Sequence, residues 1–196
     1  MKRRFNLKHE LILTAPLVCI LALPTAATPQ TPDASHASLQ DTLNWLVSFL
    51  PTATGGSVSI PNRHNHKKHA TLTDTTTLSK WNGCKVSFTS NGNWAYPDGS
   101  TMKEVDTAEF SLSDITPASI KIVDEPPDSW TGDYIVLSLS SETESIHFFH
   151  TIVSGGGEEK MQSAIAFGYF HDRARAEQAA DAMRHATVLC AKPRPA

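Results

Sequence analysis

The stretch AEQAADAMRHATVLC, residues 176–190, decides the fold, because it reads as a helix that carries a thiol almost to the end of a 196-residue chain. Ala176, Ala179, Ala180, Met183, Thr187 and Cys190 recur at helical spacing, while Glu177, Asp181 and Arg184 fall away from them. Asp172 is placed to cap the first turn. A stripe of alanines lets a helix backbone lie close to a sheet, but at ~25 cal/mol per Å² of apolar area it contributes far less than leucines would. A covalent tie at Cys190 would compensate, so the location of its partner matters.

The start of the chain bears on what its cysteines are for. MKRRFNLKHE supplies Lys2, Arg3, Arg4 and Lys8, and the apolar run LILTAPLVCILAL follows. That run is shorter than the roughly 20 residues a membrane-spanning helix needs. Thr25 and Ala27, in PTAATP, fit a signal-peptidase site, so residues 1–27 are expected to be a signal peptide cleaved after Ala27. The alternative is a retained anchor; a lipoprotein is disfavoured because Cys19 follows Val18 inside the run. The expected location is periplasmic or secreted, with no transmembrane segment in the mature chain.

Loss of the leader leaves 13 basic and 19 acidic residues, a net charge of −6. Nucleic acid is therefore not an expected partner, since phosphate-backbone binding uses clustered Lys and Arg. Cys84 and Cys190 remain once Cys19 has left. An isolated pair in an oxidising compartment usually closes on itself, so a Cys84–Cys190 disulfide is expected. A crosslink over a loop of roughly 100 residues contributes up to about 4.7 kcal/mol in the chain-entropy description. Two separate buried thiols are the alternative.

Residues 28–37, TPQTPDASHA, read as a disordered lead-in, and residues 38–192 as one domain. SLQDTLNWLVSFLP places Leu39, Leu43, Leu46, Val47 and Leu50 on one helical face, with Ser38 as cap and Pro51 as terminator. Residues 51–69, PTATGGSVSIPNRHNHKKH, read as a mobile His-rich loop. Beyond it the period becomes two. In CKVSFTS, Cys84, Val86 and Phe88 alternate with Lys85, Ser87 and Thr89, which puts Cys84 on the inward face of a strand.

Similar runs occupy residues 70–81, 102–112, 119–124, 134–140, 145–152 and 163–170, separated by Asn91-Gly92, Pro97-Asp98-Gly99, Thr116-Pro117, Pro126-Pro127 and Gly155-Gly156-Gly157. Short links favour antiparallel pairing. The expected fold is α+β: an antiparallel sheet or partly closed barrel of about seven strands, a short N-terminal helix, and an amphipathic C-terminal helix packed on the sheet. A disulfide from Cys84 to Cys190 would pin that helix down.

This order of strands followed by a closing helix is similar to that of pleckstrin-homology-like domains, whose last helix plugs one end of a bent sheet. SLQDTLNWLVSFL, GCKVSF, FSLSDITPASIKI and AADAMRHATVLC together resemble an uncharacterised exported bacterial domain family. The resemblance covers about half of the mature chain and brings no catalytic residues with it.

His64, His66 and His69, in RHNHKKH, are the candidate metal ligands, since imidazole suits zinc, copper or nickel. Arg63, Lys67 and Lys68 beside them disfavour a cation. His147 and His150 fall on opposite faces of a regular strand. Asp133, Glu142, Glu144, Glu158 and Glu159 supply carboxylates that nothing in the sequence pairs across a substrate. There is no GxSxG, CxxC or GxxxxGK pattern.

Trp81, Trp94, Tyr96 and Trp130 gather among Asn and Asp near loops, where aromatics stack on sugars, grip a partner or cover sheet ends. The expectation is an exported, non-catalytic binding or interaction module without a cofactor, its partner a protein or cell-envelope ligand. The alternative is a metal-binding protein or metal-dependent enzyme using the three histidines.

Overall fold

The structure, a computed structural model, describes residues 37–62, 65–124 and 135–191. The expected signal peptide and most of the lead-in lie outside the described residues, as do His64, Trp130 and Asp133. Helix α1 spans Leu39–Thr54 and helix α2 spans Arg173–Cys190. Among the described residues nine strands lie between them: β1 Gly56–Asn62, β2 Asn65–Asn82, β3 Lys85–Ala95, β4 Thr101–Ser111, β5 Lys121–Val123, β6 Ile135–Ser140, β7 Ile146–Ile152, β8 Gly157–Gln162 and β9 Ala164–Phe170. All described pairings are antiparallel, in a six-stranded sheet ordered β1-β2-β3-β4-β7-β8 and a three-stranded sheet ordered β5-β6-β9. Neither is a closed barrel.

Helix α1 starts in a reciprocal cap: the Asp41 N–H donates to the Ser38 hydroxyl, and the Ser38 N–H donates to the Asp41 carboxylate at 3.2 Å. The Ser38 bonds hold that carboxyl below its usual range. Pro51 does not end the helix, contrary to the reading above. Proline removes one N–H, and the turn around it continues because the Thr52 and Thr54 hydroxyls donate to the Phe49 and Leu50 carbonyls. Val47, expected on the apolar face, is 36% exposed. Trp45 and Phe49 are buried in its stead and stack with ring centroids 4.2 Å apart.

Residues 51–69 are not the mobile loop expected. They finish α1, form β1 and begin β2, as far as they are described. Gly55 and Gly56 break the helix, and in GSVSI the apolar Val58 and Ile60 alternate with serines, which is strand patterning. Pro61 is tolerated because β1 is the outer strand of its sheet and the register slips beside it. The other strand beyond the expected seven, β8, reads GEEKMQ and shows no apolar alternation because both its faces are open to solvent.

The inner face of the large sheet carries Leu78, Val86, Phe88, Ala108 and Phe110 into one core with Leu43, Leu46, Phe49 and Leu50 of α1, Leu137, Leu139, Ile165 and Phe170 of the small sheet, and the alanines of α2. The expected stripe of α2 is buried, joined by Ala182 and Ala186, and the Asp172 carboxylate accepts from the Ala174 N–H. Two side chains bind α2 to α1 in opposite directions along the chain: Arg175 donates to the Thr52 carbonyl at 2.7 Å, and the His185 ring meets the Ala37 carbonyl at 2.9 Å. Arg184 donates to the Ile120 carbonyl.

Cys84 and Cys190 are joined as a disulfide, with Cα atoms 5.7 Å apart and a sequence separation of 106. Cys84 is not on a strand face as expected. It occupies the turn between β2 and β3, half-buried against the core, and β3 starts one residue later. The last residue of α2 is thus fixed to the tip of the longest hairpin in the large sheet.

Candidate functional site

Antiparallel register decides which side chains meet on the outer face of the large sheet. Lys80 pairs with Ser87, Ser87 with Glu109, Glu109 with His147, and His147 with Met161, so four strand pairings align one polar row. The adjacent row places Asn82 opposite Lys85 and Lys85 opposite Ser111. A bulge between Leu78 and Lys80 turns the Ser79 hydroxyl onto the Ser87 carbonyl at 2.9 Å, and Thr89 donates to the Ser79 hydroxyl at 3.0 Å.

These rows line an open groove of about 700 Å³, bordered also by Trp81, Asp114 and Ser145. Its length runs past the turn that the disulfide holds, since Asn82 and Lys85 flank Gly83 and Cys84. Among the described residues, Lys80, Lys85, Glu109 and Asp114 make no ion pair, so two positive and two negative groups border one groove without a charge partner; Asp114 accepts a hydrogen bond from the Ser113 hydroxyl. The Ser145 hydroxyl is buried without a hydrogen-bond partner. His147 is committed: its Nε2 lies 2.5 Å from Glu159, and its ring packs on Phe149. Serine, histidine and glutamate therefore border one groove, yet Ser145 makes no bond to the imidazole that a nucleophile would need.

The inner face is different where the apolar core ends. Asp74 on β2 is 2% exposed and accepts hydrogen bonds from the Ser90 and Thr76 hydroxyls. Asp106 lies one strand beyond Ser90, and its carboxylate meets His150 Nδ1 at 2.6 Å. Burial is the main cause that pushes the Asp74 carboxyl up to about 6; the hydroxyl bonds oppose it, and the charges of Asp106 and Glu104 add to it. Gly56 and Gly92 flank Asp74 in register, and both leave room for a neighbour. A Cβ on Gly56 would stand 2.1 Å from the His171 ring, and one on Gly92 would stand 2.8 Å from the Glu104 side chain.

The expected aromatic group is divided. Trp81 borders the groove and packs against the main core. Trp94 and Tyr96 stack on each other at 6.3 Å, and Trp94 packs with Leu72, Val136 and Tyr169. Trp94 faces Leu72 across the ladder, nine strand positions or roughly 30 Å from Trp81. His66 and His69 fall on β2 rather than in a loop. His147 and His150 do take opposite faces, each with its own carboxylate.

Sequence reading missed the row Lys80–Ser87–Glu109 and the cluster around Asp74. Both depend on register, and only the polar residues between apolar ones in four strands hinted at them. Among the described residues no helix is long and apolar enough to cross a membrane, and no group of three His, Cys, Asp or Glu is arranged to hold a metal ion. No known protein family, no curated protein and no solved structure matches this chain, so what the site does has to be argued from its own geometry.

Proposed function

We propose that this is an exported, non-catalytic binding module, and that it holds a polar ligand bearing charges of both signs in the groove on the outer face of the large sheet. The carrying observation is that Lys80, Lys85, Glu109 and Asp114 line that groove without ion-pair partners among the described residues, around buried Ser87 and half-buried Ser111. Ligand charges would find partners there that the protein does not supply. Export is supported by the leader-like start and by the joined Cys84 and Cys190.

The test is capture of low-molecular-weight glycans and peptides from an exported fraction by immobilised mature protein. It is run beside a Lys80→Ala/Lys85→Ala/Glu109→Ala variant with an unchanged unfolding midpoint. Capture by the parent and loss of at least tenfold in the variant is the expected result; equal capture would overturn the groove assignment. Zinc titration of the same protein checks the competing reading. Stoichiometric, tight binding abolished by replacing His64, His66 and His69 with alanine would make this a metal-carrying protein instead.

A further inference from the structure

Asp74 is a buried charge-capable group with no ion-pair partner among the described residues. Its two hydrogen-bond partners are hydroxyls, which serve a protonated or an ionised carboxyl. From β3 comes Ser90, which is uncharged, and from β4 come Glu104 and Asp106, both acidic. His150 of β7 is bound to Asp106, and Glu158 of β8 is its register partner on the far side. Helix α1 brings the Thr54 hydroxyl, which accepts from the Thr76 N–H at 2.9 Å. His171, after β9, lies over Gly56, and Arg175 is committed to the Thr52 carbonyl. No lysine or arginine pairs with Asp74 among the described residues.

We infer that Asp74 is a proton-operated latch: its protonated carboxyl fastens the middle of β2 to β3 beside the α1–β1 junction, and loss of the proton loosens that joint. When the proton leaves, a buried carboxylate faces Asp106 and Glu104 with only hydroxyls to solvate it, which is costly in a poorly hydrated site. The direction follows from linkage. A carboxyl raised to about 6 in the folded protein and ordinary in the unfolded chain favours the folded state most at acid pH, below the ordinary value of 3.8. That contribution fades as pH rises between those values and is gone above the folded one. The usual salt-bridged aspartate, held low, does the reverse. This latch is independent of what the groove binds.

Asp74→Asn mimics the neutral form. Urea unfolding of the parent and of this variant from pH 4 to pH 8 should show the parent losing ground to the variant as pH rises. Their ratio of unfolding constants should change by up to about a hundredfold over the range. Groups that do not interact with Asp74 cancel in that ratio. A ratio that stays flat, or moves in the parent's favour at high pH, overturns the latch. If the variant does not fold, carbon-13 NMR of the parent decides: a carboxyl titration for Asp74 above pH 5 upholds the inference, and one below pH 4 rejects it.

Discussion

The two faces of the six-stranded sheet use the same strands for opposite ends. On the inner face Val86, Phe88, Ala108 and Phe110 are covered by α1, the small sheet and α2; on the outer face Ser87, Glu109 and His147, one residue out of phase, line a groove that water can enter. Even acidic residues follow the division. Glu109, outside, is exposed, whereas Asp74, inside, is buried and has its carboxyl pushed up to about 6. The lesson is that period-two alternation specifies two surfaces at once, and the face not needed for the core is free to be specialised.

That contrast can be broken by mutation. Phe88→Ala on the inner face should cost about 3–5 kcal/mol in denaturant unfolding, because it leaves a cavity among fully buried side chains. Its neighbour Thr89→Ala, facing outward, should cost no more than about 1.5 kcal/mol, the range for the one hydroxyl hydrogen bond it gives to Ser79. If the two cost the same, the assignment of faces is wrong. Cys84→Ala/Cys190→Ala should destabilise by about 2–5 kcal/mol, read as a shift in the urea midpoint, since the bond closes a loop of 106 positions.

Smaller effects sharpen the picture. Ala180→Leu, in the fully buried stripe of α2, should cost about 1–3 kcal/mol through overpacking. A neutral or stabilising outcome would mean that α2 does not lie closely against its neighbours. Lys80→Ala/Lys85→Ala should change stability by no more than about 0.5 kcal/mol, as expected for exposed residues without partners. A larger loss would mean that the groove's lysines hold the fold rather than a ligand.

Much of this architecture was legible in the residues. The stripe of α2, its Asp172 cap, the antiparallel class and all six period-two runs from Cys84 onward come through because burial on one face imposes a repeat that sequence displays directly. What was illegible lacks such a repeat. Strand β8 has both faces in solvent, so nothing in GEEKMQ selects apolar residues at every second position. Its Glu158, Glu159 and Lys160 also discourage pairing of an open edge with another chain. The segment 51–69 hid a strand behind Gly55, Gly56 and Pro61, residues that usually mark turns.

The groove was invisible for a further reason. Lys80, Ser87, Glu109 and His147 are each unremarkable in sequence, and only the register of four strands makes them neighbours. Cys84 shows the converse. The pairing with Cys190 was expected from the cysteine count and an expected oxidising compartment, while its place in a turn rather than on a strand face depended on where a hairpin of eighteen plus eleven residues closes.

A ligand held on the outer face would shield the lysines there, and lysine footprinting reads that shielding. The mature protein is acetylated with and without an exported fraction, and protection is read by peptide mass at Lys80 and Lys85, with exposed Lys103 and Lys121 as references. The account predicts at least threefold slower labelling at Lys80 and Lys85 and no change at Lys121. Protection centred on Lys121, or none at any of the four, would contradict it.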